Sequence, residues 1–222
     1  MDPYQITLAL VLGLAGYLIG SIPFGLLVGR WFYGIDVRDY GSGNIGTANT
    51  YRILGRGPGA LVLVCDTAKG FVPALVASLV LPPWLTVLVA ITPVVGHMRS
   101  VFLRFSGGKG VATGSGIVLA LMWPIAVIVY VVWLLVIAVT RYVSLASISA
   151  AISFAILTFV FPEPTAYRVF AVAVSAVVIW AHRGNVARLL RGTESRVSPP
   201  WRSRRRRPAD SQGPGANPSH SR

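Results

Sequence analysis

Long apolar runs, punctuated by proline and glycine, decide what this chain can fold into. Seven stretches are predominantly apolar: 6–31, 60–81, 84–101, 111–122, 124–140, 143–161 and 167–181. A helix crossing the hydrocarbon core of a bilayer takes roughly 20 such residues, with a range of about 17–25. In lipid, backbone groups must be satisfied within the segment or in a closed barrel, and runs of this length are read as helices. The expected fold is therefore all-α, a polytopic transmembrane helical bundle of about seven spans. The run 111–122 is short and is set off from the next only by Pro124, so the count is bracketed at five to seven, with seven preferred. Prolines at 82–83, 124 and 162–164 mark three tight turns. Charged residues are 12% of the 222, half of the roughly 25% usual in a soluble chain. A soluble domain of that length lacks the interior to hide an apolar share of 54%.

The first run has no basic segment before it, since Met1–Gln5 carries only Asp2, so it is read as a span rather than a cleaved signal peptide. The single cysteine, Cys65, lies within an apolar run and is read as a small buried residue. With the N-terminus outside and seven alternating spans, every Lys and Arg except Lys69 and Arg168 falls in the inner segments or the C-terminal tail. Basic residues favour cytoplasmic loops, which sets this orientation. The expected domains are a membrane body over 1–194 and a tail over 195–222. The tail is rich in Arg, Ser, Pro and Gly and lacks apolar periodicity, so it is expected to be disordered. Its basic cluster suits contact with anionic lipid rather than nucleic acid.

Three inner segments are too polar and too patterned to be mere connectors. In 41–52, Gly41, Gly43 and Gly46 allow tight turns and close approach of backbone to a ligand. Ser42, Asn44 and Asn49 offer neutral hydrogen bonds there, and Arg52 offers a fork suited to phosphate. In 96–113, Gly107, Gly108, Lys109 and Gly110 directly precede an apolar helix, flanked by His97 and Thr113. Free backbone N–H groups at a helix start beside a lysine form an anion site. The loop is not a nucleotide-hydrolysing P-loop, because Gly110 follows the lysine where Ser or Thr is required. In 182–194, a helix leaving the last span would put His182, Asn185 and Leu189 on one face with Arg188 nearby.

Asp66 and Lys69 lie three apart inside an apolar run, spaced to pair on one helix face. Ionisable groups within a membrane are costly, and a structural ion pair near the site is the preferred reading, with direct substrate contact second. No metal-ligand cluster, paired carboxylates or cofactor motif accompanies these residues. Cations and oriented amides at one face suit phosphorylated molecules handled at the lipid interface, by an enzyme or a carrier.

Five strings in this order resemble the PlsY family: GSGNIGTANTYRILG from Gly41, DTAKG from Asp66, GHMRSVF…FSGGKGVAT from Gly96, RYVSLASI from Arg141 and HRGNVARLLRGTE from His182. The resemblance runs from about Gly20 to Glu194 and leaves the Arg-rich tail outside. Two departures are visible. Thr47-Ala48-Asn49 stands where the family often has Ala-Thr-Asn, and Ser100 replaces a usual proline, a change expected to loosen its loop.

The family comprises bacterial membrane glycerol-3-phosphate acyltransferases that use acyl phosphate. The resemblance implies that Ser42 and Arg52 contact the glycerol-3-phosphate phosphate, with Lys109, His182 and Asn185 completing the catalytic pocket. Gly107, Gly108 and Gly110 would hold the acyl phosphate, and Glu194 would act structurally. Asn44, Asn49, His97, Thr113 and Arg188 are the further expected substrate contacts. The implied reaction yields lysophosphatidic acid and phosphate, the first acylation of phospholipid synthesis, at the cytoplasmic face of the bacterial inner membrane and without a cofactor. No histidine has an aspartate five residues on, which disfavours acyl-CoA as donor. The alternative from another class is a transporter of a phosphorylated metabolite, for which charges at mid-membrane in symmetric halves are expected; no internal repeat is evident.

Overall fold

A computed structural model describes residues 2–196. All seven apolar runs are helical. Ten α-helices follow in order: α1 (Pro3–Ser21), α2 (Phe24–Tyr33), α3 (Thr47–Leu54), α4 (Arg56–Val80), α5 (Pro83–Met98), α6 (Val111–Leu121), α7 (Trp123–Thr140), α8 (Val143–Val160), α9 (Thr165–Ala181) and α10 (Arg183–Leu190). The expected tail falls, from residue 197 on, outside the described residues.

The first expected span is two helices rather than one. Pro23 lacks an N–H to continue the ladder, and the chain breaks at Ile22–Pro23 before resuming as α2. The pair still covers 31 residues, long and apolar enough to cross a membrane, as are α4, α7 and α8. Helices α9 and α10 meet at 54° and count as a fifth span if taken as one, whereas α5 and α6 are shorter apolar helices. Segment ends follow local chemistry. The Asp2 carboxylate accepts from the Tyr4 N–H at 3.1 Å to start α1, and Met122 alone separates α6 from α7. The 41–52 segment is half helix, since α3 carries Asn49 and Arg52.

The bundle is stitched by pairs: α1 on α5, α4 on α6, then α7 on α8 and α8 on α9. One core runs through Ala90, Ile117, Ile125, Phe154 and Phe170, the last two meeting edge-on at 6.4 Å between ring centroids. Small residues let backbones touch where α4 crosses α6: a Cβ at Gly70 would overlap the Thr113 carbonyl. Around the circumference, Leu10, Leu79 and Val139 are 70%, 75% and 82% exposed, as befits side chains facing hydrocarbon rather than water.

Where α1 and α5 end, the loops are tied to the bundle. The Ser100 hydroxyl is buried and donates to the Ser21 carbonyl at 2.6 Å. The expected loosening at Ser100 is therefore corrected: its hydroxyl anchors the 99–106 turn to the end of α1, a contact proline has no donor to make.

Candidate active site

The glycine-rich segment before α3 is shaped by one side chain. Gly41 and Gly43 adopt φ of +62° and +67°, values costly for residues with a Cβ. The Asn49 amide, 1% exposed, sits inside the turn they make. Its Oδ1 accepts from the Ser42 N–H at 2.9 Å, and its Nδ2 donates to the carbonyls of Val37, Tyr40 and Asn44 at 2.9, 3.2 and 2.8 Å. Asn49 was expected to touch substrate; backbone groups of the loop occupy its amide. Asn44 bends the chain as well, its Oδ1 accepting from the Gly46 N–H at 2.8 Å. What the segment presents outward is Ser42 and, one turn along α3, Arg52, both exposed.

The second loop lies on top of α5. Gly108 donates its N–H to the His97 carbonyl at 3.0 Å, and a Cβ on Gly108 would strike the His97 ring. Gly110 turns into α6 at φ +76°. His97 and Thr113 are 4% and 0% exposed, beneath the loop, and His97 Nδ1 and Thr113 Oγ1 have no hydrogen-bond partner. Both were expected at the substrate; His97 lies directly under Gly107 and Gly108, whereas Thr113 packs against Gly70 of α4. Lys109, half-buried, is the side chain that leaves the loop toward α10.

Four segments meet at that lysine. Lys109 Nζ donates to Asn185 Oδ1, and Asn185 Nδ2 donates to Glu194 Oε1 at 2.6 Å. The same carboxylate accepts from Ser144 Oγ at 2.9 Å and, through Oε2, from Arg188 Nε at 2.7 Å. Burial pushes the Glu194 carboxyl up, but the donors Asn185, Arg188 and Ser144 outweigh it and hold the group below the usual carboxylate range. Glu194 is thus an ionised clamp with both oxygens engaged. It holds Asn185 with its Oδ1 toward Lys109, which fixes the amide's orientation. Ser144, which lies within the RYVSLASI string, is the contact of this network that the sequence did not single out. Its partner lies 50 residues away, and a serine in an apolar helix carries no sign of that distance.

Burial lowers the Lys109 ammonium to about 8; nearby Arg188 and Arg52 push it the same way, while Glu194 opposes them. Arg188 is bound to the same carboxylate as Asn185, and Arg52, whose charge acts on Lys109, makes no ion pair among the described residues. Three cations crowded against a single carboxylate leave an uncompensated positive site, which a phosphate dianion would satisfy. His182, at the α9–α10 bend and 3% exposed, places Nδ1 2.8 Å from the Val178 carbonyl. A carbonyl only accepts, so the proton is on Nδ1 and Nε2 keeps its lone pair.

Beneath this layer lies the second lysine. Lys69 and Asp66, 3% and 1% exposed, pair at 2.7 Å. Lys69 Nζ also donates to the Ile22 carbonyl at 2.9 Å, a group left short of a helical partner by the break before Pro23. His97 Nδ1 is 3.8 Å from Asp66, too far for a hydrogen bond. The pair is held within the bundle.

Comparison with known proteins gives a consistent set. A family model described as glycerol-3-phosphate acyltransferase matches residues 10–192. A protein named glycerol-3-phosphate acyltransferase from Synechococcus sp. (strain JA-2-3B'a(2-13)) is 47% identical over 193 residues, covering 87% of this chain and 96% of its own. One of the same name from Rubrobacter xylanophilus is 46% identical over 188 residues, covering 84% and 94%. Crystal structures of PlsY, described as an integral membrane glycerol 3-phosphate acyltransferase, superpose in their glycerol 3-phosphate and lysophosphatidic acid forms with TM-scores of 0.83 and 0.81. Both are 42% identical to this chain and cover 86% of it.

Proposed function

Because the chain belongs to the glycerol-3-phosphate acyltransferase family, the PlsY-type integral membrane enzymes, we propose that it acylates the 1-hydroxyl of sn-glycerol 3-phosphate using acyl phosphate as donor. The products are 1-acylglycerol 3-phosphate and inorganic phosphate, the first acylation of phospholipid synthesis. The observation that carries this reading is the cation cluster of Lys109, Arg52 and Arg188 around an Asn185 fixed by Glu194.

In this reading Ser42 and Arg52 take the phosphate of glycerol 3-phosphate, with Lys109, His182 and Asn185 completing its pocket. The backbone of Gly107, Gly108 and Gly110 holds the phosphate of the donor. The substrate hydroxyl oxygen bonds to the acyl carbon, the bond from that carbon to the phosphate oxygen breaks, and the hydroxyl proton ends on the departing phosphate. Holding two anionic substrates against one cationic patch supplies proximity and preorganised charge, which act on the barrier without a strong acid. His182, with its Nε2 lone pair free, orients the hydroxyl while a phosphoryl oxygen of the donor takes the proton. Collapse of a bell-shaped rate profile to one limb in His182→Gln would assign the base to histidine instead.

The charge distribution supports a site at the cytoplasmic face of the inner membrane, with the N-terminus outside. Residues 1–194 form the acyltransferase body. The deciding experiment uses purified protein in lipid with labelled glycerol 3-phosphate and either palmitoyl phosphate or palmitoyl-CoA. Lysophosphatidic acid from palmitoyl phosphate alone is the expected result. Product from palmitoyl-CoA overturns the donor assignment, and glycerol 3-phosphate carried across vesicles without product overturns the enzyme reading in favour of a transporter.

A further inference from the structure

On a face of α2 turned away from the glycine loop lies a cavity of about 830 Å³ that no step of the acyl transfer uses. Helix α2 puts Gly25 against the 41–52 segment, where a Cβ would overlap the Ile45 carbonyl. Residues 26, 27 and 30 point elsewhere, the periodicity of 3.6 carrying them around the helix. There Leu26, Leu27 and Ile22 make an apolar wall, while Arg30, Arg38 and Arg104 stand at its edge. None of these belongs to the Lys109–Asn185–Glu194 network.

The charge at the edge is unbalanced. Asp36 accepts from both Arg30 and Arg38, at 2.9 and 2.6 Å, and Asp39 also acts on Arg38, so two carboxylates face the three guanidinium groups of Arg30, Arg38 and Arg104. Arg104 makes no ion pair or hydrogen bond with any described residue. Its position is not that of a relaxed surface loop. Arg104 and Phe105 both take positive φ, 52° and 59°, which side chains with a Cβ adopt at a cost. The turn that imposes this is pinned by the Ser100–Ser106 bridge and by the buried Ser100–Ser21 hydrogen bond.

The height of the cavity relative to a bilayer can be read from its surroundings. Trp31, Phe32 and Tyr33 follow Arg30 at the end of α2, and are 73%, 69% and 48% exposed. Aromatic side chains collect at the level of lipid headgroups, so the arginines stand at headgroup depth and the apolar wall reaches into the acyl region. Basic pockets between spans on the cytoplasmic side recognise anionic headgroups. We infer that this groove binds one anionic membrane phospholipid, its phosphate between Arg38 and Arg104 and its chains along Ile22, Leu26 and Leu27. The inference stands apart from the acyl-donor assignment, because it concerns different residues and a lipid that is not turned over.

Purified full-length protein in mild detergent, given equal dioleoylphosphatidylglycerol and dioleoylphosphatidylcholine, is examined by native mass spectrometry for retained lipid. One phosphatidylglycerol should be retained with at least about fivefold preference, the weight of one arginine at a charged surface. Arg104→Gln should lose that preference. Leu27→Trp, which fills the groove without touching a charge, should lose the bound lipid and keeps the test valid if the arginine variant does not fold. Equal retention of both lipids by the wild type, or unchanged preference in both variants, overturns the assignment. A raised KM for palmitoyl phosphate in Arg104→Gln with lipid retention unchanged gives the groove to the acyl donor and overturns it equally.

Discussion

Two lysines, one above the other, show how the same side chain is put to opposite uses in this bundle. Lys69 lies inside α4, closed off from solvent, with Asp66 at 2.7 Å and the Ile22 carbonyl at 2.9 Å as its partners. Lys109 lies in a glycine loop, half-buried, hydrogen-bonded only to a neutral amide and crowded by two arginines. The first has its charge answered within the protein; the second does not. An internal carboxylate turns a buried cation into a strut that ties the α1–α2 break to α4. Withholding the carboxylate leaves a cation whose missing partner must come from outside. Glu194 sharpens the contrast, since it reaches Asn185, Ser144 and Arg188 but makes no hydrogen bond with Lys109.

The comparison breaks most severely at Asp66. Asp66→Ala strands the Lys69 charge in the bundle, and removing one partner of a buried pair costs about 3–5 kcal/mol. Unfolding in detergent should show that loss, with little folded protein recovered. A variant as stable as wild type would mean the pair is not a strut. Lys109→Ala is the reverse case. Removal of one preorganised charge donor costs about 10²- to 10³-fold in turnover, and kcat/KM for glycerol 3-phosphate should fall by that amount while stability is not lost, because the folded protein disfavours that buried charge. Equal damage to stability would dissolve the distinction between the two lysines.

The spans were legible because lipid admits few solutions, and an apolar run of the right length is nearly a statement of helix. The division of the first span at Pro23 was not, since proline is tolerated in membrane helices where neighbours satisfy the freed groups. Here the Ile22 carbonyl is shared by the Phe24 N–H at 3.2 Å and by Lys69, 47 residues away. The candidate site was legible in composition and less so in role. Lys109, Asn185 and Arg188 do come together, with Arg52 close by. Asn49, His97 and Thr113 share their residue types with ligand-binding groups, and only the direction each side chain takes separates a loop hub or a buried support from a contact. Ser144 shows the converse, a role created by a partner distant in sequence.

A subtler test replaces both members of the buried pair. Asp66→Leu with Lys69→Met leaves no isolated charge, and well-packed apolar pairs often match buried ion pairs. The Ile22 carbonyl then keeps the Phe24 N–H at 3.2 Å but loses the Lys69 ammonium, a hydrogen bond to a charged group worth about 1.5–3 kcal/mol. The double variant should therefore be more stable than Asp66→Ala and less stable than wild type, and should turn over substrate once folded. A folded but inactive double variant would move Asp66 and Lys69 into the chemistry and end the contrast.

The smallest expected effect is read by pH. The Lys109 ammonium in the free protein gives up its proton at about 8 because burial disfavours its charge. If glycerol 3-phosphate needs that charge, kcat/KM, which reports free-enzyme ionisations, falls above pH 8 and approaches a tenfold loss per unit. Stability moves the other way over the same range. Between about 8 and the ordinary lysine value near 10.4 the unfolded chain binds the proton that the folded chain has released, so this group's contribution to stability rises with pH. Activity falling while the Lys109 contribution to stability rises is a signature a structural lysine does not give. Lys109→Arg, whose guanidinium stays charged throughout, should remove the alkaline fall even where its turnover is lower. An alkaline limb that persists in Lys109→Arg would assign the titration to another group.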